Sequence, residues 1–328
     1  MRVLVTGGAG FIGSHVVDNL LKKGISVTVI DNFSTGRPQN IEHVMSDITV
    51  VEADIAEEGP WQNVFSDADK VIHLAALADI VPSIEDPTSY YKSNVTGTLN
   101  VLQACKVSNI ERLTYSASSS CYGIANQLPT PEDSPLLPEY PYALTKLMGE
   151  QLVRHWTKVY GISSSSLRFF NVYGTRSRTS GTYGAMFGVF LAQKLKGVPF
   201  TVVGNGEQTR DFTYVTDVAD AVVKTTLSKN GDGIFNVGSG KTVSVNYVTQ
   251  LLGGDVVYIP KRPGEPRSTH ADISRIKNIL GWEPRVGIKE GVEKVISEID
   301  YWKDATVWTP EAISKSTETW FKVLKKYD

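Results

Sequence analysis

The sequence predicts an α/β fold in which a doubly wound parallel sheet is joined to a smaller mixed α/β lobe. In the first half of the chain, short apolar strand candidates alternate with helical stretches, a pattern typical of parallel sheets covered by helices on both faces. A glycine-rich turn follows the first strand, and 328 residues suit two lobes around a shared cleft. The predicted strands cover residues 2–6, 26–30, 48–51, 70–73, 112–116 and 163–169, and the predicted helices cover 13–23, 88–107 and 142–160.

The first strand leads into a turn that is suited to a pyrophosphate. Gly8, Gly10 and Gly13 have the Gly-x-Gly-x-x-Gly spacing of dinucleotide-binding turns, and a helical stretch follows at once. Glycines let the backbone approach the phosphates, and the N–H groups at a helix start face the anion. This Rossmann-type arrangement predicts a bound dinucleotide, whereas a turn that serves only strand-to-helix packing is the alternative. The predicted contacts here are Gly7, Gly10, Phe11, Ile12 and Gly13.

The second predicted strand ends in an acidic residue. Asp31 lies eighteen residues after Gly13 and is followed by Asn32. A carboxylate at this place accepts hydrogen bonds from both adenosine ribose hydroxyls and repels a 2′-phosphate. The sequence therefore predicts NAD rather than NADP, with Asp31 and Asn32 as cofactor-binding residues.

The second half of the chain has a less regular pattern, which predicts a separate lobe. We expect an NAD-binding domain over residues 1–171 and a mainly substrate-binding lobe over 172–308, with helices near 185–196 and 218–228. Asp217 has the character of a helix N-cap, so residues 218–245 are a candidate return to the first domain. An amphipathic helix is predicted over 309–328, since a Thr-Pro-Glu start precedes apolar residues on one face, and a structural docking role is favoured for it.

Composition and charge exclude several other classes of protein. The net charge of −2 gives no electrostatic reason to expect nucleic acid or an anionic membrane as a partner. Cys105 and Cys121 lack metal-ligand spacing and the five histidines are scattered, so neither a disulfide framework nor a metal site is expected. No apolar run approaches the length of a membrane helix, and the first strand starts at residue 2, so we expect no signal peptide and a cytoplasmic location.

A second motif indicates acid–base chemistry. Tyr142 and Lys146 are four residues apart on a predicted helix and share a face, and a hydroxyl cluster that includes Ser118 ends the strand before it. Keeping a phenolate at neutral pH costs about 4 kcal/mol, which a nearby ammonium and a nicotinamide charge can offset. A Tyr-x-x-x-Lys pair alone is common on structural helices. After a cofactor turn and a hydroxyl cluster, it predicts a general base for a sugar or alcohol hydroxyl.

These motifs together resemble the extended short-chain dehydrogenase/reductases. The chain is most similar to the NAD-dependent epimerase/dehydratase family, especially to UDP-hexose 4-epimerases. The resemblance is carried by the glycine turn, which also has the spacing Gly7-x-x-Gly10-x-x-Gly13, by the Ser-rich strand end and by the later Arg-Asp-Phe motif. The resemblance covers roughly residues 1–300. It implies Ser118 as the partner of the sugar O4, Tyr142 as the acid/base, and Lys146 as the residue that binds the nicotinamide ribose and activates the phenol.

The same resemblance implies further cofactor and substrate contacts. On the cofactor side these are Asp54, Ile55, Leu74, Ala75, Ala76 and Asn94. On the substrate side they are Ser118, Ser119, Ser120, Tyr142, Asn171, Arg210, Arg262, Glu265 and Thr269. Forked guanidinium donors suit diphosphate oxygens. Arg267 is a candidate third cation or, almost equally, a surface residue.

The resemblance also favours one reaction over its relatives. Related 4,6-dehydratases carry an Asp-Glu pair where this chain has Ser119-Ser120, and a serine cannot replace a carboxylate base at neutral pH. Inversion at C4 of UDP-glucose or UDP-galactose is therefore expected, and Thr269, where relatives carry bulky aromatics, leaves room for UDP-N-acetylglucosamine. Residues 181–188 depart from the common pattern of the family, so the identity of the nucleotide base stays open. Alternatives are a UDP-uronate 4-epimerase, another nucleotide-sugar isomerase or dehydratase, or a non-catalytic NAD-binding protein. The family also implies a homodimer formed by helices 88–107 and 142–160.

Overall fold

The computed structural model describes residues 1–179 and 186–324. Its strands are β1 (Arg2–Thr6), β2 (Ser26–Asp31), β3 (Ile48–Glu52), β4 (Lys70–His73), β5 (Arg112–Ser118), β6 (Ser163–Phe169), β7 (Asn171–Tyr173), β8 (Phe200–Val203), β9 (Thr209–Arg210), β10 (Phe212–Tyr214), β11 (Gly233–Val237), β12 (Val243–Ser244) and β13 (Val256–Ile259). Its α-helices are α1 (Phe11–Lys22), α2 (Ile80–Glu85), α3 (Pro87–Tyr91), α4 (Gly97–Val107), α5 (Pro141–Tyr160), α6 (Met186–Leu195), α7 (Val215–Leu227), α8 (Val245–Leu252), α9 (Ser274–Leu280), α10 (Ile288–Ser297), α11 (Pro310–Ser316) and α12 (Glu318–Leu324).

Seven parallel strands form the main sheet, in the order β11-β6-β5-β4-β1-β2-β3. The chain leaves β1 toward β2 and β3 on one side and resumes on the other side with β4. Crossing back in this way opens a crevice at the carboxyl ends of β1 and β4, where ligands bind in doubly wound sheets. The predicted fold class and the six strands of the first half are confirmed.

Helices cover both faces of this sheet because alternate side chains of each buried strand point to opposite faces. Val3 and Val5 of β1 belong to the core beneath α1 and α7, whereas Leu4 belongs to the core beneath α4 and α5. α5 begins with a proline in its first turn and is followed by Gly161, whose φ of 74° is left-handed. Both features are typical helix boundaries.

In the described part of the chain, the smaller lobe contains three two-stranded sheets. β7 pairs with β10 and β8 with β13 in parallel, and β9 pairs with β12 antiparallel. Its core is aromatic, with the Tyr173 ring stacked on Phe187 at 4.6 Å between centroids. α7 and β11 return to the main sheet from this half of the chain. The exact domain boundaries stay a prediction.

Two predicted helices are interrupted in the structure. The stretch 88–107 consists of α3, a π-helical turn over Lys92–Thr96 and α4. The predicted C-terminal helix consists of α11 and α12, with residues 325–328 outside the described part. Thr317 lies between them and donates its hydroxyl to the Ile313 carbonyl at 2.8 Å. A threonine side chain that competes for a helix carbonyl weakens the next turn.

Other sequence expectations concern thiols and membranes. Cys105 and Cys121 are buried free thiols. In the described ranges, no helix combines the length and the apolar character that a bilayer span needs. The cytoplasmic location stays a prediction. Of the stretch 181–188, residues 181–185 lie outside the described residues, and α6 begins at Met186.

Candidate functional site

A cleft of about 550 Å³ lies at the carboxyl ends of the main-sheet strands and is bordered by both lobes. It brings together most of the site residues predicted from the sequence. Those on its wall are Gly7, Gly10, Phe11, Ile12, Gly13, Asp31, Asn32, Asp54, Ile55, Leu74, Ala75, Ala76, Ser118, Tyr142, Lys146, Asn171, Arg210, Arg262 and Glu265. Four predicted residues do not line it: Asn94, Ser119, Ser120 and Thr269.

The glycine turn forms one end of the cleft and has no room for side chains. Gly7 has a φ of 73°, and a Cβ atom there would lie 2.7 Å from the Ala75 nitrogen. A Cβ on Gly13 would lie 2.0 Å from the Gly7 carbonyl oxygen. The first turn of α1 lines the cleft with backbone N–H groups that have no partner within the helix. This cradle fits a dinucleotide pyrophosphate.

Asp31 closes the turn from the end of β2. Its carboxylate accepts the Ala9 N–H and the Phe33 N–H, each at 2.9 Å. Burial raises the pKa of this carboxyl, and the two backbone hydrogen bonds lower it. Each carboxylate oxygen keeps a second acceptor position, so the side chain can both hold the turn and accept ribose hydroxyls.

Asn94 supports the cofactor wall from behind. Its side-chain oxygen accepts the Leu77 N–H at 2.8 Å, and its amide nitrogen donates to the Leu77 carbonyl and to the Thr145 hydroxyl, both at 3.0 Å. It therefore ties the segment after β4 to α5. The π-helical turn that carries Asn94 is a feature common at functional sites.

The Tyr142 and Ser118 side chains meet in the middle of the cleft. The phenol donates to the Ser118 hydroxyl at 3.3 Å, and Ser118 and Ser120 share a hydrogen bond of 2.8 Å. Burial raises the pKa of the Tyr142 phenol, and its hydrogen bond to Ser118 lowers it. Ser120 lies off the cleft wall and orients Ser118, whereas Ser116 and Ser118 both line the cleft.

Lys146 lies one helical turn below Tyr142 on α5. Its ammonium donates to the Ser116 hydroxyl at 3.3 Å and lies 4.5 Å from the centre of the Tyr115 ring. Burial lowers the pKa of Lys146 to about 7, although the Glu150 carboxylate raises it. A lysine that titrates near neutrality in a cleft is typical of functional sites.

A buried ion pair holds α5 against the sheet. Arg168 of β6 donates to both oxygens of Glu150, at 3.0 Å and 2.6 Å. Arg168 also donates to the Tyr122 hydroxyl at 2.8 Å, and Tyr122 follows the Ser118–Ser120 cluster. One guanidinium thus fixes both the helix that carries Tyr142 and the turn that carries Ser118.

Arginines from the second half of the chain also line the cleft. Arg210 of β9 lies 3.0 Å from the Glu265 carboxylate, and its guanidinium also donates to the Thr209 carbonyl at 2.9 Å. Arg262 precedes Glu265 on the same loop and is 9% exposed. Two guanidinium groups on one wall can grip the oxygens of a diphosphate.

Thr269 lies behind the substrate wall. Its hydroxyl donates to the Asn171 side-chain oxygen at 2.7 Å, and Asn171 lines the cleft. The structure thus places Thr269 next to a predicted substrate residue and away from the cleft itself. Its influence on a sugar substituent would act through Asn171.

The structure adds residues that the sequence analysis did not identify. Asp79, just before α2, forms an ion pair with Arg178, and both side chains line the cleft. Asp79 is also one of the charges that raise the pKa of Tyr142, so the pair lies at the Tyr142 end. No spacing rule connects the two positions. Met186 and Phe187 of α6 also line the cleft.

Comparison with known proteins assigns the chain to a family. Residues 3–238 match the model of the NAD dependent epimerase/dehydratase family. The chain is 37% identical over 303 residues to a putative UDP-glucose 4-epimerase from Methanocaldococcus jannaschii, with 90% of this chain and 97% of that protein covered.

Two solved structures are similar in both sequence and fold. One is the UDP-N-acetylglucosamine 4-epimerase from Methanobrevibacter ruminantium M1 in complex with UDP-N-acetylmuramic acid, at 34% identity and a TM-score of 0.84, with 90% and 98% of the two chains covered. The other is the UDP-glucuronic acid 4-epimerase from Bacillus cereus in complex with UDP-glucuronic acid and NAD, at 33% identity and a TM-score of 0.84, with 93% and 99% covered. The cleft geometry and these likenesses agree: the chain belongs to the NAD-dependent epimerase/dehydratase family, and its cofactor is NAD.

Proposed function

We propose that this protein inverts C4 of a UDP-hexose through a transient 4-keto sugar. The observation that carries the proposal is the Tyr142–Ser118 hydrogen bond, which lies in one cleft between the glycine turn and the arginine-lined wall. An acid/base group between a dinucleotide cradle and a diphosphate clamp suits oxidation and reduction of a tethered sugar.

The chain's own residues would transfer the proton and hold the sugar and the cofactor in place. When bound, NAD supplies a hydride acceptor and donor for C4 and a positively charged ring. Tyr142 would take the O4 proton as the C4–H bond breaks and return it when that bond re-forms on the other face. Ser118 would hold O4, and the Lys146 ammonium would bind a ribose hydroxyl and favour the phenolate.

The two ends of the cleft suit a sugar that must rotate between the two hydride transfers. Arg210 and Arg262 would hold the diphosphate with charge-assisted bonds, while short hydroxyls meet the sugar. Strong binding at the non-reacting end keeps the keto sugar in place, and weak binding at the reacting end allows its rotation.

The Asp79–Arg178 pair favours a neutral hexose over a uronate. Arg178 already has a carboxylate partner in Asp79, and Asp79 adds a negative charge near Tyr142. A sugar carboxylate beside Asp79 would be repelled. UDP-glucose and UDP-galactose are therefore the preferred substrates, and we include UDP-N-acetylglucosamine because Thr269 is small and lies behind the wall.

A dehydratase is the second candidate because Asp79 brings a carboxylate into the cleft. Elimination of water from the sugar needs an acid and a base. Ser119 and Ser120 supply neither, and Asp79 is engaged by Arg178. This arrangement favours epimerisation.

A substrate panel read by proton NMR tests the proposal. The purified protein is incubated separately with UDP-glucose, UDP-galactose, UDP-N-acetylglucosamine and UDP-glucuronic acid. We expect the C4 epimer from the first two and from the N-acetyl sugar. A deoxy keto product would indicate a dehydratase, turnover of the uronate alone would indicate a uronate epimerase, and no turnover would favour a non-catalytic NAD-binding protein.

We also propose a homodimer formed through α4 and α5. Apolar side chains are exposed on these helices and on the neighbouring α3: Tyr91 is 51%, Val107 80% and Leu144 47% exposed. Burial of such side chains is the main driving force for protein association.

A further inference from the structure

The C-terminal helix α12 contacts the loop that carries a predicted diphosphate arginine. Trp320 is 3% exposed, and its indole N–H donates to the Pro263 carbonyl at 2.9 Å. The Arg262 guanidinium lies over the Trp320 ring, 5.2 Å from its centre. The Leu324 side chain lies beside Gly264 of the same loop.

The same face of α12 also packs against α2. Trp320 and Leu324 pack with Val81 of α2 in a small apolar cluster. α2 directly follows Asp79, which lines the cleft. α12 therefore packs against both the Arg262 loop and α2.

Stacking on an indole ring suits a phosphate-binding arginine. The face of the ring attracts the cation without a hydrogen bond, so this contact uses none of the guanidinium N–H donors. A long side chain that is already held in place loses less conformational freedom when a phosphate binds. The Pro263 hydrogen bond fixes the ring itself, so the loop and the ring hold each other.

We propose that Trp320 is a positioning residue for the nucleotide diphosphate, acting through Arg262. The C-terminal helices then serve substrate binding as well as packing. This inference rests on the proposed function, because it takes a UDP-sugar as the ligand of Arg262. It predicts that Trp320 governs the affinity for UDP with little effect on the chemical step.

Two substitutions separate the ring face from simple apolar packing. Trp320→Leu keeps an apolar side chain against Val81 but removes the ring, whereas Trp320→Phe keeps a ring. By isothermal titration of the NAD-loaded protein, we expect Trp320→Leu to weaken UDP binding about tenfold. Trp320→Phe, which keeps a ring face but loses the indole N–H, should weaken it less, by about threefold. KM for the UDP-sugar should rise in parallel while kcat changes by less than about twofold.

Two further variants test how the effect is transmitted. Ile313→Val, in the buried face of α11 but in a different apolar cluster, should leave UDP affinity unchanged. In the Arg262→Ala background, adding Trp320→Leu should weaken UDP binding no further, since the group that Trp320 positions is already gone.

The outcomes separate this inference from the proposed function. If wild-type protein fails to bind UDP, the proposed function fails. If wild type binds UDP and Trp320→Leu binds it equally well, or if the effects of Trp320→Leu and Arg262→Ala simply add, the positioning role of Trp320 is overturned while the proposed function stands.

Discussion

The Tyr142 phenol donates a hydrogen bond to the Ser118 hydroxyl at 3.3 Å, although 24 residues separate the two positions in the chain. Tyr142 lies in the first turn of α5 and Ser118 at the carboxyl end of β5. The helix packs along the sheet so that its N-terminal turn meets the strand end. This hydrogen bond is thus a product of helix-on-sheet packing.

Replacing Tyr142 by phenylalanine should abolish turnover and leave binding intact. The ring keeps its edge-to-face contact with Tyr90 and its stacking on Tyr140, so the fold should persist. Loss of an acid/base group lowers kcat by about 10²- to 10⁴-fold. The check is steady-state kinetics together with UDP titration. Turnover at the wild-type rate would exclude Tyr142 as the acid/base.

Lys146 should make the protein less stable below pH 7 than a neutral side chain would. Burial lowers its pKa from 10.5 to about 7. Between these values the unfolded chain binds more protons at this site than the folded chain, so the Lys146 contribution to the free energy of unfolding rises with pH. Below pH 7 the folded protein carries a buried ammonium, and the full desolvation penalty of that charge lowers the free energy of unfolding.

Lys146→Met tests this relation and the role in catalysis. The variant should lose at least about 100-fold in kcat. Its free energy of unfolding should exceed that of wild type most below pH 7, and the gap should shrink as pH rises from 7 toward 10.5. Urea unfolding at several pH values measures the gap. A gap that does not change with pH would contradict the lowered pKa.

Asp31→Ala should weaken NAD binding and reduce the preference for NAD over NADP. The variant removes the acceptor of the Ala9 and Phe33 N–H groups, which costs about 1–3 kcal/mol in the free energy of unfolding for a buried group left unpaired. It also removes the charge that would repel a 2′-phosphate. Titration with both cofactors measures the preference. Glu52→Ala, an exposed acid at the paired position of β3, is the matched control.

Arg210→Ala should weaken UDP binding by about 10- to 100-fold, in line with about 1.5–3 kcal/mol for a hydrogen bond to a charged group. Its guanidinium is 10% exposed and pairs with Glu265 on the cleft wall. NAD content should not change, because the glycine turn lies at the other end. Arg267→Ala, an exposed arginine off the cleft wall, is the control. Equal losses in the two variants would show that overall charge, and not a clamp, governs UDP affinity.

Leu144→Glu should convert a dimer into a monomer. The side chain is 47% exposed on α5, and a carboxylate buried without a partner at an apolar interface is strongly unfavourable. Light scattering after size exclusion gives the mass. Ile279→Glu, equally 47% exposed on α9, controls for the added charge. A wild-type monomer would refute the dimer, and a Leu144→Glu dimer would place its interface elsewhere.

Local patterns in the sequence were sufficient to predict the sheet, the glycine turn and the Tyr142/Lys146 pair. Each depends on residues close together in the chain: an apolar run makes a strand, glycine spacing makes the turn, and a four-residue interval puts two side chains on one helix face. Only the family resemblance connected the arginines of the second half to the same cleft, because nothing in their spacing relates them to the first half.

The tertiary structure alone decided which distant side chains meet. Asp79 pairs with Arg178, Trp320 lies under Arg262, and Thr269 lies behind Asn171. The first of these pairs joins positions 99 residues apart, in segments with no repeating pattern. Such contacts arise when separate elements pack on one core. Neither the periodicity of hydrophobic residues nor the spacing of motifs predicts them. The sequence by itself therefore determined the glycine turn and the shared helix face of Tyr142 and Lys146, and the fold determined which side chains lie around Tyr142 and which support Arg262.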